Sequence, residues 1–148
     1  RAQRKASMQK LVSAGARPGL LAYLEGQPVG WLSLGWREEL PGLQRSPTLR
    51  PRDPDPSVMA IVCLFVDTSH RACGVSSELI AAALDYCREL GATAVEAYPK
   101  AALSRHAAAG GRAEQADSFM GRRDQLERQG FEVVRKAGAR LVMSIQLG

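Results

Sequence analysis

Apolar residues recur along this chain in two periods, and the switch between them marks its elements. Val58 to Val66 is apolar throughout and rich in β-branched residues, which predicts a strand covered on both faces and central in its sheet. After a short polar turn the period lengthens. Val75, Leu79, Ile80, Ala83, Leu84, Cys87 and Leu90 then repeat at helical spacing, predicting a helix from about Gly74 to Leu90 that Gly91 ends. Thr93 to Tyr98 reads as another strand, stopped by Pro99. Strand, crossover helix and strand make a right-handed βαβ unit.

The flanks follow from the same signals. Residues 2–14 read as a helix with Met8, Leu11 and Val12 on one side and Gly15 as its stop. Leu20 to Glu25 and Val29 to Leu34 form a hairpin around Gly26-Gln27-Pro28, with Gly30 and Gly35 marking places without bulk or with a bend. Residues 36–57 lose all periodicity. Pro41, Pro47, Pro51, Pro54 and Pro56 make the stretch a long exposed loop that either lines a site or is a tolerated insertion. Residues 100–116, rich in Ala and Gly with only Leu103 as an apolar anchor, read as a mobile loop with room for a helical turn at Ala101 to Ala109. Ser118 to Gln129 is a helix ended by Gly130. Phe131 to Arg135 and Arg140 to Leu147 form a second hairpin about Ala137-Gly138.

Composition narrows the class. The chain has 148 residues, 45% of them hydrophobic, enough for one domain with a real core. No apolar run approaches the ~20 residues of a bilayer span, and no signal-peptide pattern opens the chain. The net charge is +5. The basic residues are interleaved with acids, as in Arg37-Glu38-Glu39 and Arg122-Arg123-Asp124, and aromatics are few. That pattern argues against nucleic acid and for a surface that favours anionic ligands in general. Cys63, Cys73 and Cys87 form no C-x-x-C pair, so a zinc site is not expected, and with no secretory signal the thiols are expected to be reduced, in a cytoplasm.

The candidate chemistry sits between the central strand and its helix. The turn Asp67-Thr68-Ser69-His70-Arg71-Ala72-Cys73-Gly74-Val75-Ser76 aims backbone N–H groups and a helix N-terminus at one point, a setting for phosphate, with Arg71 adding fixed positive charge. Arg71-Ala72-Cys73-Gly74-Val75-Ser76, placed after Leu64-Phe65-Val66 and before Leu79-Ile80, resembles the Arg/Gln-x-x-Gly-x-Gly/Ala motif of the GNAT superfamily of acyl-CoA-dependent N-acetyltransferases. Leu126-Glu127-Arg128-Gln129-Gly130-Phe131 is similar to that family's helix-to-strand ending. The order of elements agrees from about residue 19 to 147.

The resemblance implies one mixed α/β (α+β) GNAT-like domain, a central mixed sheet flanked by helices. It implies acetyl-CoA as cosubstrate, its pyrophosphate on Arg71, Ala72, Cys73, Gly74, Val75 and Ser76. The pantetheine arm would pair like an extra strand with Leu64, Phe65 and Val66, where the family separates two strands, and the thioester would lie between the strand ending at Val66 and the one beginning near Thr93. The acceptor would be an amine of unspecified kind. Homodimers are common in such a family, although nothing in the chain fixes an interface. The family also has elements ahead of its first hairpin that 18 residues do not hold, so an N-terminal segment is expected to be missing before Arg1. Many members carry a tyrosine four residues before the late Gly to protonate the departing thiolate; here that position is Leu126.

Transfer to an amine needs a proton acceptor. Glu96, a carboxylate in a short apolar strand, is either that base, directly or through water, or a residue facing solvent or paired with an arginine. Tyr98, two positions on, is either the substitute acid or a packing residue with a wet hydroxyl. Cys63 as an acyl-accepting nucleophile would mean ping-pong kinetics, but no histidine is placed to activate it, which favours direct transfer in a ternary complex. Cys73 is a thiol open to oxidation at the turn or an inert small residue. His70 and His106 read as surface residues. Glu38 and Glu39, after Trp31 and Trp36, either line an acceptor pocket or are a solvated pair. The reading is an N-acetyltransferase. A non-catalytic acyl-CoA-binding or sensing domain is the alternative, and a nucleic-acid module is a third that scattered charge disfavours.

Overall fold

Six strands, β1 (Gly19–Leu24), β2 (Gln27–Trp36), β3 (Val58–Val66), β4 (Ala94–Ala97), β5 (Glu132–Ala137) and β6 (Arg140–Gln146), form one sheet in the order β1-β2-β3-β4-β6-β5. The computed structural model describes residues 2–71, 73–101 and 121–148. Helices α1 (Ala2–Ser13), α2 (Pro41–Arg45), α3 (Val75–Glu89) and α4 (Arg123–Arg128) accompany the sheet. All neighbouring strands are antiparallel except β3 and β4, the pair that α3 joins. The mixed α/β class and the βαβ unit of the sequence are therefore present. Among the described residues no helix is long and apolar enough to cross a membrane.

The first hairpin turns through Glu25 and Gly26, both at positive φ, the backbone that a two-residue hairpin loop needs to match strand twist. In β3, Met59, Ile61 and Leu64 join the main core under α3, and Ala60 and Val62 meet a smaller cluster on the other face. Burial of Leu79, Ile80 and Leu84 fastens α3 to the sheet, each worth about 2 kcal/mol. Gly30 allows the close approach: a Cβ there would lie 2.9 Å from Leu79 and 3.1 Å from Val75. That contact seats the first turn of α3 over the end of β3.

Four expectations change. Residues 36–57 are not an open loop. Arg37–Glu39 form a 3-10 turn, Pro41 starts α2 at the position where a missing N–H costs nothing, and Leu43 is buried with Leu40 and Leu49 beside it. The segment lies as a strap over the second face of the sheet, tied to β5 by Arg135, which donates to the carbonyls of Thr48 (3.0 Å) and Arg50 (3.2 Å). Leu90 is exposed, because α3 is already ending there, and Met8 and Val12 of α1 are exposed as well. The late helix is shorter than expected within the described residues, because Arg122 is extended and the helix begins only at Arg123. Residues 102–116, with Leu103 and His106, and residues 118–120 lie outside the described residues.

Candidate functional site

The parallel pair β3–β4 is short. Its register runs Val58–Ala94, Met59–Val95, Ala60–Glu96 and Ile61–Ala97 and then stops, while β3 continues to Val66. The cause is visible on the other side of β3. Against β2, Ser33 pairs with Cys63 but Leu34 pairs with Ile61, so Val62 is an extra residue, a β-bulge. A bulge bends its strand and raises its twist, and here it turns β3 away from β4. Beyond Ala97 the chain follows β6 instead: Leu141 N–H donates to Pro99 O, Lys100 bridges Arg140, and Ala101 N–H donates to Ala139 O. Among the described residues no strand lies opposite Val62–Val66 on the β4 side. The two strands open as a V whose closed end is at Ile61 and Ala97.

The open end carries the turn. Asp67 N–H donates to Val29 O, a 3-10 turn follows over Thr68–His70, and Gly74 at φ +80° starts α3. Glu78 N–H already bonds Gly74 O, which leaves the N–H groups of Val75, Ser76 and Ser77 without helical partners. Among the described residues no side chain caps them. Cys73 and Gly74 are exposed, and a Cβ at Gly74 would meet nothing within 4 Å. The Arg71 Nε donates to Val66 O at 3.3 Å, which draws the guanidinium back against the end of β3. Gln125 of α4 donates to the Ser76 hydroxyl and Gln129 to Ser77 O (3.1 Å), bracing the far side of the same turn. Ala72 lies outside the described residues. Three outward N–H groups, the positive end of a 15-residue helix and a neighbouring arginine suit a pyrophosphate. The unpaired edge of β3 suits an extended arm with amide groups of its own. From Val66 to Ile61 that edge runs about 16 Å at strand rise. Phe65 is exposed along it and Leu64 is buried in the core.

Under the closed end lies a group of side chains of which the sequence brought only Glu96 and Tyr98 together. Glu96, paired in register with Ala60, accepts from Arg37 Nη1 at Oε1 (2.7 Å) and from the Tyr98 hydroxyl at Oε2 (2.8 Å). Arg37 Nη2 donates to Asp53 O at 2.6 Å. The Arg37 side chain is 7% exposed and that of Glu96 15%. Glu96 is thus paired with an arginine and does not stand open to solvent. Tyr98 is corrected: it is fully buried, its hydroxyl is not wet, and its proton points to Glu96. Burial first, and then the Glu96 charge and hydrogen bond, push that phenol far above the usual tyrosine range.

The remaining candidates disperse. Cys63, half-buried beside the bulge, has its thiol pushed up by burial, against a nucleophilic thiolate. His70 pairs with Asp67 (3.1 Å) within the turn. Glu38 accepts from Asp55 N–H and helps to fold the strap at the end of β2, where Trp36 pairs with Met59, far from Val66. Leu126 is buried in the main core. Arg37 is the residue that the sequence reading missed. Its only signal was a charge directly after an apolar strand, which most often means a surface.

A model of the acetyltransferase (GNAT) family matches residues 2–110. No curated protein sequence matches the chain. Solved structures share the fold. Ribosomal-protein-alanine N-acetyltransferase from Brucella melitensis is 20% identical, with 99% of this chain and 78% of that one covered and a TM-score of 0.59. PaiA N-acetyltransferase from Thermoplasma acidophilum, in complex with coenzyme A, is 12% identical over 97% of this chain and 70% of its own, TM-score 0.61. YncA from Salmonella typhimurium, with its cofactor acetyl-CoA, is 14% identical over 100% and 75%, TM-score 0.62. At such identities the likeness is one of fold.

Proposed function

Because the chain belongs to the GNAT acetyltransferase family, we propose that it transfers the acetyl group of acetyl-CoA to a primary amine by direct attack in a ternary complex. The observation that carries this reading is the V between β3 and β4 with the first turn of α3, uncapped among the described residues, at its open end. Bound acetyl-CoA supplies an acetyl thioester, already activated toward amines. The N–H groups of Val75, Ser76 and Ser77, with Arg71, Cys73 and Gly74 around them, hold the pyrophosphate; Ala72 belongs to the same motif. The backbone of Leu64, Phe65 and Val66 pairs with the pantetheine arm. The bulge at Val62 keeps β4 from occupying that edge, so sheet geometry alone brings the acyl group toward the closed end.

Glu96 is the proton acceptor. An amine reaches the site as ammonium and must shed one proton before its nitrogen bonds the thioester carbon. Glu96 takes it, directly or through water, being the carboxylate next to the closed end with part of its surface still open. The C–N bond then forms as the C–S bond breaks, and the second proton of the acylated nitrogen passes through water to the departing thiolate. Tyr98 does not serve as the acid, since its proton is committed to Glu96. Leu126 has none to give. The same absence of an acid favours a second reading, an acyl-CoA-binding domain without turnover.

One experiment separates them. Acetyl-CoA is titrated calorimetrically into wild-type protein and into Arg71→Ala/Gly74→Glu, and thiol release is followed over a panel of amines. The transferase reading expects binding that the double substitution weakens about 100-fold, near 2.7 kcal/mol, together with amine-dependent thiol release. Binding without release by any amine supports the sensing domain. Folded wild-type protein that does not bind acetyl-CoA refutes both.

A further inference from the structure

We propose that Arg37 is a positioning residue for the transfer, holding Glu96 in place at the closed end of the V; the proposal rests on the reading of Glu96 as proton acceptor. Arg37 is the one buried charged residue among those described. Stability alone gives poor reason for it. A buried ion pair is often no better than apolar side chains of the same volume, because two charges lose their water. The strap already covers this face with Leu40, Leu43 and Leu49, and an apolar residue at 37 would extend that cover. A guanidinium is kept there instead, with its Nε buried and without a partner. The side chain is thus placed for what its two terminal nitrogens hold and not for its own full satisfaction.

What they hold is specific. Nη1 grips Glu96 Oε1 and Nη2 grips Asp53 O, so the carboxylate of β4 is tied to both ends of the strap. Gln44 donates to Arg37 O (3.1 Å) and fixes the backbone from which the arginine reaches. With Tyr98 on Oε2, neither Glu96 oxygen can swing. The fixed point lies one residue pair before the strands part. A carboxylate locked there can meet an incoming ammonium without rearranging, with the Arg37 guanidinium 2.7 Å from it. The charged and titratable groups about Glu96 include Arg37 from the strap, Tyr98 one residue beyond β4, Asp55 of the strap, which feels the Arg37 charge, and Arg135 on β5, whose charge acts on Tyr98.

The test is the pH dependence of amine acetylation by wild-type protein, Arg37→Met and Arg37→Lys, with Arg37→Met also made in a Glu96→Gln background. The expected result for Arg37→Met is a kcat about tenfold or more lower, an unchanged KM for acetyl-CoA, and an acidic limb displaced to higher pH. Arg37→Lys, which keeps the charge, returns the limb to its wild-type position. In the Glu96→Gln background the same Arg37→Met change moves kcat by less than about twofold, because the interaction is already gone. A folded Arg37→Met with the wild-type limb and kcat overturns the proposal, and so does an equal loss in both backgrounds. If Arg37→Met does not fold, Arg37→Gln, neutral but still a donor, must show the displaced limb. An undisplaced limb there, or failure of both neutral variants to fold, makes the role structural and ends the proposal. Wild-type protein that binds acetyl-CoA but acetylates no amine gives no rate to profile; that outcome overturns the transferase reading and this proposal with it.

Discussion

The two ends of the V are built on opposite plans. At the open end, backbone makes the site: three N–H groups uncommitted among the described residues, a glycine at φ +80° and side chains that are exposed or braced from behind. At the closed end, side chains make it, and they are largely enclosed: Glu96 bonds both Arg37 and Tyr98 beneath the strap. A diphosphate must enter and leave with its water, and amides facing solvent bind it without ordering anything new. A proton acceptor must stay in one orientation, and only close packing does that. Stability and ligand affinity should therefore separate, with substitutions at the closed end costing the fold and those at the open end costing the ligand.

The largest expected effect falls on the closed end. Glu96→Ala leaves the Arg37 cation buried without its counter-charge, which typically costs about 3–5 kcal/mol. The double variant Arg37→Met/Glu96→Leu removes both charges and should regain most of that loss while remaining without transferase activity. Urea denaturation of the three proteins checks this. A Glu96→Ala protein as stable as wild type would mean that the pair is solvated, and the contrast between the two ends would fail.

The same contrast decides what was legible in the sequence. Arg71, Gly74 and Ser76 lie within six residues of one another, between a strand and a helix with clear periodicities, so the turn could be read from local pattern alone. The β3 limits, Val58 and Val66, were readable because the apolar run is uninterrupted. The closed end depends on contacts between residues 59 positions apart, Arg37 and Glu96, and no periodicity encodes them. The bulge at Val62 was silent for the same reason: it exists only as a mismatch of register with β2, not as a residue type. Prolines misled where they were most numerous. Pro41 begins a helix as readily as it forbids one, and Leu40, Leu43 and Leu49 were the better guide to a strap with a buried side. Tyr98 was half legible: its place beside Glu96 followed from strand alternation, but its proton's destination did not.

A middling effect is expected at the open end. Gly74→Ala puts a Cβ into space with nothing within 4 Å, so no clash arises, and the cost is that of holding a non-glycine residue at positive φ, about 1–2 kcal/mol. If the turn is the pyrophosphate site, acetyl-CoA affinity falls by a similar factor or more as the first turn of α3 shifts. A thermal melt with and without acetyl-CoA measures both. Loss of stability with full retention of affinity would separate Gly74 from the ligand and place the site elsewhere along β3.

The smallest effect is the most diagnostic of the closed end, because it has a sign that only burial gives. Tyr98→Phe keeps the ring and removes one hydrogen bond to Glu96, worth about 1 kcal/mol near pH 8. The Tyr98 phenol is held protonated in the fold, chiefly by burial, whereas in the unfolded chain it ionises near the ordinary tyrosine value of 10. Its contribution to stability is thus complete below pH 10. Above that the unfolded state sheds a proton that the folded state retains, and stability falls as pH rises. Cys87, raised by burial from 9.0 to about 11, weakens the fold in the same direction from pH 9 upward. It is common to both proteins and cancels in their difference. Urea midpoints of wild type and Tyr98→Phe should therefore converge between pH 9 and 11, the advantage of the hydroxyl shrinking and then reversing. A difference that stays constant over that range would mean that the phenol titrates freely, and the hydroxyl would then not be sealed against Glu96.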